Sequence, residues 1–118
     1  MIGVDLIKLD RMKRSIERFG DKFLLRFLSP DEMLLVKNPK TAAGFWAAKE
    51  ACSKALGTGI GRECGFHDIV LFKTEKGAPR ISLAPQLLQK HKISDISLSI
   101  SHDGDYAIAV VAIEAKRA

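Results

Sequence analysis

Little in this chain of 118 residues is suited to cross-linking, to crossing a membrane or to staying unfolded. It has two cysteines, Cys52 and Cys64, with neither metal-ligand spacing nor a framework of bridges, so a zinc module and a disulfide scaffold are both excluded. A reducing, cytoplasmic setting is the corresponding expectation. The longest apolar run, Tyr106 to Ile113, is eight residues, whereas a membrane helix needs roughly 20. No basic patch leads into a long apolar stretch near Met1 and no small-residue cleavage site follows, so no secretory signal is expected. There is no internal repeat, no low-complexity tract and no Pro/Gly/Ser-rich linker, which points to a single domain over residues 1–118. With 47% hydrophobic and 28% charged residues, the chain lies far from disordered compositions. A domain of this size buries about two thirds of its unfolded surface and folds without a metal or a disulfide.

Charge is present in excess of one sign. Nineteen Lys and Arg face fourteen Asp and Glu, a net charge of +5 and a pI near 9.4. Such a balance favours an acidic partner: nucleic acid, an anionic membrane surface, an acidic protein or a phosphorylated small molecule. Between Lys8 and Lys40 there are nine basic residues against five acidic, so most of the surplus lies in the first third.

Periodicity places helices early and most strands late. Met1 to Val4 reads as a short strand ending at Asp5. Leu9, Met12, Ile16 and Phe19 recur at helical spacing, with Arg11, Arg14 and Arg18 gathered opposite them and Gly20 as a stop. A short helix carries Phe23, Leu24, Phe27 and Leu28. Ser29-Pro30-Asp31-Glu32 opens another with the pattern of a capping box. The strongest helix runs from about Thr41 to Leu56 and ends at Gly57. The period then becomes two: Ile69 to Lys73 and Arg80 to Leu83 form strands around a Glu75-Lys76-Gly77 turn, and Leu87 and Leu88 sit in a short helix. Ser97 to Ser101 alternates strictly, and Asp103-Gly104 signals a hairpin into the strand Tyr106 to Ile113. That last strand is apolar on both faces, so a helix should cover one and a second subunit the other. The expected class is α+β, with helices packed on a mainly antiparallel sheet.

Few side chains could carry chemistry. Glu50 and Lys54 lie four apart on one helix face, with Ala47 before them, and a surface ion pair is one reading. The other is a carboxylate for Mg²⁺ beside a lysine for phosphate, with small Ala47 leaving room. Gly57-Thr58-Gly59-Ile60-Gly61 follows a helix rather than preceding one, so it is no phosphate-cradling loop. It serves as a cap and turn, or lets a bulky ligand approach the backbone. Asp5 is either a turn former or the second carboxylate that a Mg²⁺ site on Glu50 would want. The Arg11/Arg14/Arg18 stripe is a solvated face or a docking surface for an acidic helix or a nucleic-acid backbone. His102, at the end of the alternating strand, is a satisfied polar residue or a site residue. His67 and His91 have nothing gathered around them, and the cysteines read as structural.

The run Ala47-Ala48-Lys49-Glu50-Ala51-Cys52-Ser53-Lys54-Ala55-Leu56-Gly57-Thr58-Gly59 resembles the signature of the 4′-phosphopantetheinyl transferase family. The resemblance, to the short single-domain type, runs end to end. It takes in Gly3-Val4-Asp5, Arg26-Phe27-Leu28, Gly61-Arg62, Phe66-His67-Asp68-Ile69, Lys76-Gly77-Ala78-Pro79 and Ser99-Ile100-Ser101-His102. It implies that the 4′-phosphopantetheine arm of coenzyme A is moved to a serine of apo-acyl carrier protein, releasing adenosine 3′,5′-bisphosphate, in the cytoplasm and for fatty acid biosynthesis. By the same resemblance Asp5 and Glu50 hold Mg²⁺, Lys54 meets the pyrophosphate, and His102 lies beside the coenzyme. Ala47, Gly57, Thr58, Gly59 and Ile60 border it, and Gly77 and Pro79 approach from a neighbouring subunit of a homotrimer whose sites lie at subunit interfaces. Arg11, Arg14 and Arg26 receive the acidic carrier protein; no nucleic acid and no membrane takes part. Glu50 or a metal-held water is the preferred base, with His102 second. Two departures stand out: Phe45 precedes Trp46 where many relatives have Arg, and Lys76-Gly77-Ala78-Pro79 replaces Asn-Gly-Lys-Pro. The rival reading is a small basic nucleic-acid- or protein-binding module without catalysis, although no helix-turn-helix, RNA-binding or zinc signature supports it. A catalytically silent relative is a third, opposed by intact Asp5, Glu50, Lys54 and His102.

Overall fold

A computed structural model describes residues 1–116. In chain order the elements are β1 (Ile2–Lys8), α1 (Leu9–Phe19), α2 (Asp21–Leu24), α3 (Pro30–Met33), α4 (Pro39–Leu56), β2 (Ile69–Lys73), β3 (Pro79–Leu83), α5 (Pro85–Lys90), β4 (Ile93–Asp103) and β5 (Tyr106–Ala115). A three-stranded antiparallel sheet has the order β1-β5-β4, and β2 and β3 form a separate antiparallel hairpin. The class is α+β, as the periodicity predicts. All pairings among the described strands are antiparallel.

Helix α4 is the centre of the core. Asn38 caps it, its side chain accepting from the Thr41 backbone N–H at 3.0 Å, and Pro39 occupies the first turn, where a missing N–H costs nothing. Gly57 ends it with φ 81°, a left-handed conformation that favours glycine. Its alanines 42, 43, 47, 48, 51 and 55 are all buried, and the helix packs on β1 and on β5, whose Ala107 and Ala109 are equally small and buried. Small residues on both surfaces let the helix axis come close to the sheet. Gly3 takes this to its limit. A Cβ there would run into the Ala51 carbonyl oxygen and come within 2.6 Å of the Ala55 N, so α4 rests directly on the β1 backbone.

The sequence expectations fail at two places. Strand β1 does not stop at Asp5 but continues to Lys8, pairing in register with β5 from Ile2↔Ala112 through Asp5↔Ala109 to Lys8↔Tyr106. Gly3, Asp5 and Ile7 therefore point toward α4, and Asp5 is a mid-strand residue rather than a turn former. Phe19 does not join the core: it is 53% exposed at the end of α1, with the Arg18 guanidinium 5.2 Å above its ring. Only Leu9 and Met12 of that helix are fully buried. By contrast, the capping box at Ser29 forms as expected. The Ser29 N–H donates to Glu32 Oε1 at 2.8 Å, and the Glu32 N–H donates to Ser29 Oγ at 3.2 Å.

Among the described residues the doubly apolar last strand is covered by α4 on one face only. Opposite, Ile2, Val4 and Leu6 of β1 and Val110 of β5 lie open, with Val4 54% and Leu6 55% exposed.

Gly3→Ala tests the helix–strand contact. The added methyl meets backbone rather than a flexible side chain, so a loss of about 2 to 3 kcal/mol is expected, read as a lower urea midpoint with an unchanged slope.

Candidate active site

The close approach at Gly3 has a consequence two residues along the strand. Asp5, on the same face of β1, comes within reach of the C-terminal half of α4. Lys54 Nζ lies 2.9 Å from Asp5 Oδ1 and donates also to the Val4 carbonyl at 3.3 Å. The expected surface pair within α4 is thus replaced by a pair between helix and strand: Lys54 reaches Asp5, 49 residues away in sequence, rather than closing on Glu50. Asp5 is largely covered, with 15% of its side chain exposed, while Lys54 is 52% exposed.

Glu50 belongs to the same cluster electrostatically. Burial, reinforced by the neighbouring Asp5 charge and only partly offset by Lys54, raises its pKa above the usual carboxylate range. The hydrogen bond to Asp5 raises that of Lys54, against a smaller lowering by desolvation. Asp5 is in contact with Lys54, and the Asp5 and Glu50 carboxylates lie close enough to feel each other's charge. Mg²⁺ takes one or two protein carboxylates and fills its other positions with waters and phosphate oxygens, and Asp5 with Glu50 fits that demand. Among the described residues no group of three or more His, Cys, Asp or Glu forms a complete cage.

The glycine stretch after α4 turns tightly. The Thr58 and Gly59 N–H groups both donate to the Ser53 carbonyl, at 3.2 and 3.1 Å, and Gly59 has φ 64°. Gly57 is exposed, Thr58, Gly59 and Ile60 are half-buried, and Ala47 is fully buried. Within one chain Ala47 therefore offers a ligand no surface.

His102 is elsewhere. Its Nε2 lies 2.9 Å from the Lys40 carbonyl, in the first turn of α4, and a Cβ on Gly44 would come within 3.3 Å of the same nitrogen. Ten residues of helix separate Lys40 from Glu50, about 15 Å of axis. His102 lines a cleft with Thr41, Phe45, Lys73, Gly77 and Pro79. The structure thus brings Asp5, Glu50 and Lys54 together at one end of α4, and His102, Gly77 and Pro79 together at the other. Phe45, the residue that departs from the family pattern, lines this second cleft. Lys73 lies there too, unmarked by any motif; only its position at the end of a strand before a turn hinted at it.

Arg11, Arg14 and Arg18 are all exposed along α1. Arg26 joins Phe19, Lys22 and Phe23 around a groove beside them. Cys52 and Cys64 are free and fully buried. Burial, with Cys64 close by, pushes the Cys52 thiol up to about 12, which leaves it inert as a nucleophile.

The chain, a long helix packed on a small antiparallel sheet, matches known proteins over its whole length. Residues 1–111 fit the model of the 4′-phosphopantetheinyl transferase superfamily. The holo-[acyl-carrier-protein] synthase of Sulfurimonas denitrificans is 63% identical over all of this chain and 98% of its own length. That of Wolinella succinogenes is 57% identical over the full length of both. In three dimensions the chain is similar to the Helicobacter pylori holo-[acyl-carrier-protein] synthase solved in complex with coenzyme A. The TM-score is 0.93 at 47% identity, over 97% of this chain and 100% of that one. The chain belongs to the 4′-phosphopantetheinyl transferase superfamily, among its holo-[acyl-carrier-protein] synthases, and is an enzyme.

The raised pKa of Glu50 predicts a stability effect of definite sign. Its charged form is disfavoured in the fold, so its contribution is destabilising at neutral pH and fades as pH falls through its folded pKa toward 4.5. Glu50→Gln should therefore raise Tm at pH 7 in EDTA, with the gain shrinking on acidification, as followed by thermal melts from pH 7 to pH 4.5.

Proposed function

We propose that the enzyme transfers 4′-phosphopantetheine from coenzyme A to a serine of apo-acyl carrier protein in a Mg²⁺-dependent reaction. The observation that carries this reading is the meeting of Asp5, Glu50 and Lys54 where α4 rests on β1. The coenzyme A held by the Helicobacter pylori relative supports the choice of donor. The serine oxygen bonds to the β-phosphorus of the coenzyme pyrophosphate while the bond from that phosphorus to the bridging oxygen breaks. Adenosine 3′,5′-bisphosphate leaves with the bridging oxygen. Mg²⁺ held by Asp5 and Glu50 would supply charge neutralisation at the pyrophosphate. Lys54, freed to turn from Asp5 toward a phosphate oxygen, adds a compact positive charge. The serine proton must go to a base. Glu50 or a metal-held water is placed to take it, and His102 is the alternative. The reaction belongs to fatty acid biosynthesis in the cytoplasm.

The working form is a homotrimer. Two features support it: among the described residues nothing covers the apolar sheet face of Ile2, Val4, Leu6 and Val110, and His102 and Glu50 lie about three helical turns apart along α4 in one protomer. A neighbouring copy seated on the open face would bring its His102, Gly77 and Pro79 cleft to the Asp5, Glu50 and Lys54 end of this one. The glycine stretch from Gly57 to Ile60 would then border the coenzyme. The acidic carrier protein docks on the exposed Arg11 and Arg14 and on the Arg26 groove, whose Phe19 and Phe23 add apolar contact. Neither nucleic acid nor a membrane has a part.

Intact-mass spectrometry of apo-acyl carrier protein incubated with the enzyme, coenzyme A and Mg²⁺ tests the reaction. One phosphopantetheine adduct is expected, absent with EDTA, and Asp5→Ala should slow its formation about a hundredfold or more. No adduct on a competent carrier would overturn the assignment and leave the nucleic-acid-binding alternative to be tried. Val4→Glu tests the assembly: gel filtration should show monomers, with turnover lost although each protomer retains both half-sites.

A further inference from the structure

Lys49 takes no part in the chemistry above, yet its side chain is wholly enclosed, with 0% exposed. All three of its N–H donors are used: on the Phe27 carbonyl at 2.7 Å, on Glu32 Oε1 at 2.8 Å and on the Phe66 carbonyl at 3.1 Å. Glu32, 2% exposed, is equally committed. Its Oε1 also accepts from the Ser29 N–H, and its Oε2 accepts from the Leu71 N–H at 2.7 Å. Burying such a pair costs desolvation of both ions, and an apolar pair of similar volume commonly stabilises a fold as well or better. An apolar pair cannot, however, satisfy backbone groups. The Phe27 carbonyl lies in the turn after α2, the Phe66 carbonyl lies in a single 3-10 turn over Phe66–Asp68, where it also accepts from the Ile69 N–H, and the Leu71 N–H faces the free edge of the hairpin. The ion pair gives these groups partners and so holds their segments in one conformation against α4.

One of those segments leads to the docking groove. Arg26 immediately precedes Phe27. The Phe27 ring lies 5.5 Å from Phe23 and 5.0 Å from Trp46, and Trp46 stacks on Phe23 at 6.1 Å. Phe23 and Arg26 are two of the groove's walls. We infer that Lys49, with Glu32, is a positioning pair for the carrier-binding edge, holding the Phe27 backbone so that Phe23 and Arg26 face the incoming protein. This rests on the reading of the Arg26 groove as the carrier's docking surface.

The test compares steady-state constants for carrier and for coenzyme. Lys49→Ala alone strands a buried carboxylate and confuses lost fold with lost position, so the informative variant is Lys49→Met with Glu32→Leu. Far-UV circular dichroism should be unchanged, and emission from Trp46, the only tryptophan in the chain, should shift. KM for the carrier should rise about tenfold, with KM for coenzyme A within twofold and kcat largely kept. Arg26→Ala, which weakens the carrier in the natural chain, should add little in this background, because its guanidinium is already misplaced. Glu32→Gln keeps the shape and one of the two acceptor oxygens and gives a second, milder variant, with a two- to fivefold rise in carrier KM. A purely structural pair would lower kcat with the folded fraction and leave Arg26→Ala at full effect; that result, or an equal rise in both KM values, would overturn the positioning role. An unaltered carrier KM for Arg26→Ala alone would remove the docking reading and this inference with it.

Discussion

The contact on which the rest depends is the seating of α4 on the bare backbone of Gly3. A residue with any side chain at that point would lift the helix from the strand, because its Cβ would meet the Ala51 carbonyl. The alanines of α4 and of β5 extend the same close approach across the sheet. Only at this separation can Lys54 reach Asp5 from helix to strand, and only then does the Asp5 charge bear on Glu50. The geometry that assembles the site also creates its electrostatic tension. Two carboxylates share half-buried ground with a single lysine, an arrangement that costs stability and suits a cation-dependent reaction at phosphate.

A long helix also divides what a shorter one would unite. Its 18 residues span about 27 Å, with the Asp5, Glu50 and Lys54 cluster toward the C-terminus and His102 at the first turn. A single protomer therefore keeps the cluster and the His102 cleft apart, and among the described residues nothing covers its apolar sheet face. The proposed neighbouring copy on the open face would answer both. This is the physical ground for reading the working enzyme as an assembly.

Local chemistry was the legible part of the chain. The capping box at Ser29 and Glu32, the Ala-rich helix with its Gly57 stop, the hairpin around Gly77 and the alternation ending at His102 each follow from residues within a few positions of one another. The extent of β1 was not legible. Asp5 looks like a terminator by composition, but seven pairings with β5 carry the strand past it. Phe19 kept the helical spacing of a core residue while lying where α1 runs out. Lys73 reached its cleft only because the hairpin folds toward the first turn of α4.

Glu32 and Lys49 mark the boundary most clearly. From sequence Glu32 is the fourth residue of a capping box and Lys49 one letter of a signature, both true and both local. Their burial against each other, and their service to the backbone of Phe27, Phe66 and Leu71, join segments 17 to 39 residues apart. By itself the sequence determined the helices and their caps, the strands with one apolar face, and the family signature, because these rest on spacing within one element. Which carboxylate meets which lysine, where His102 lies along α4, and which face stays uncovered were decided by the tertiary structure, because they depend on how closely the helix settles on the sheet.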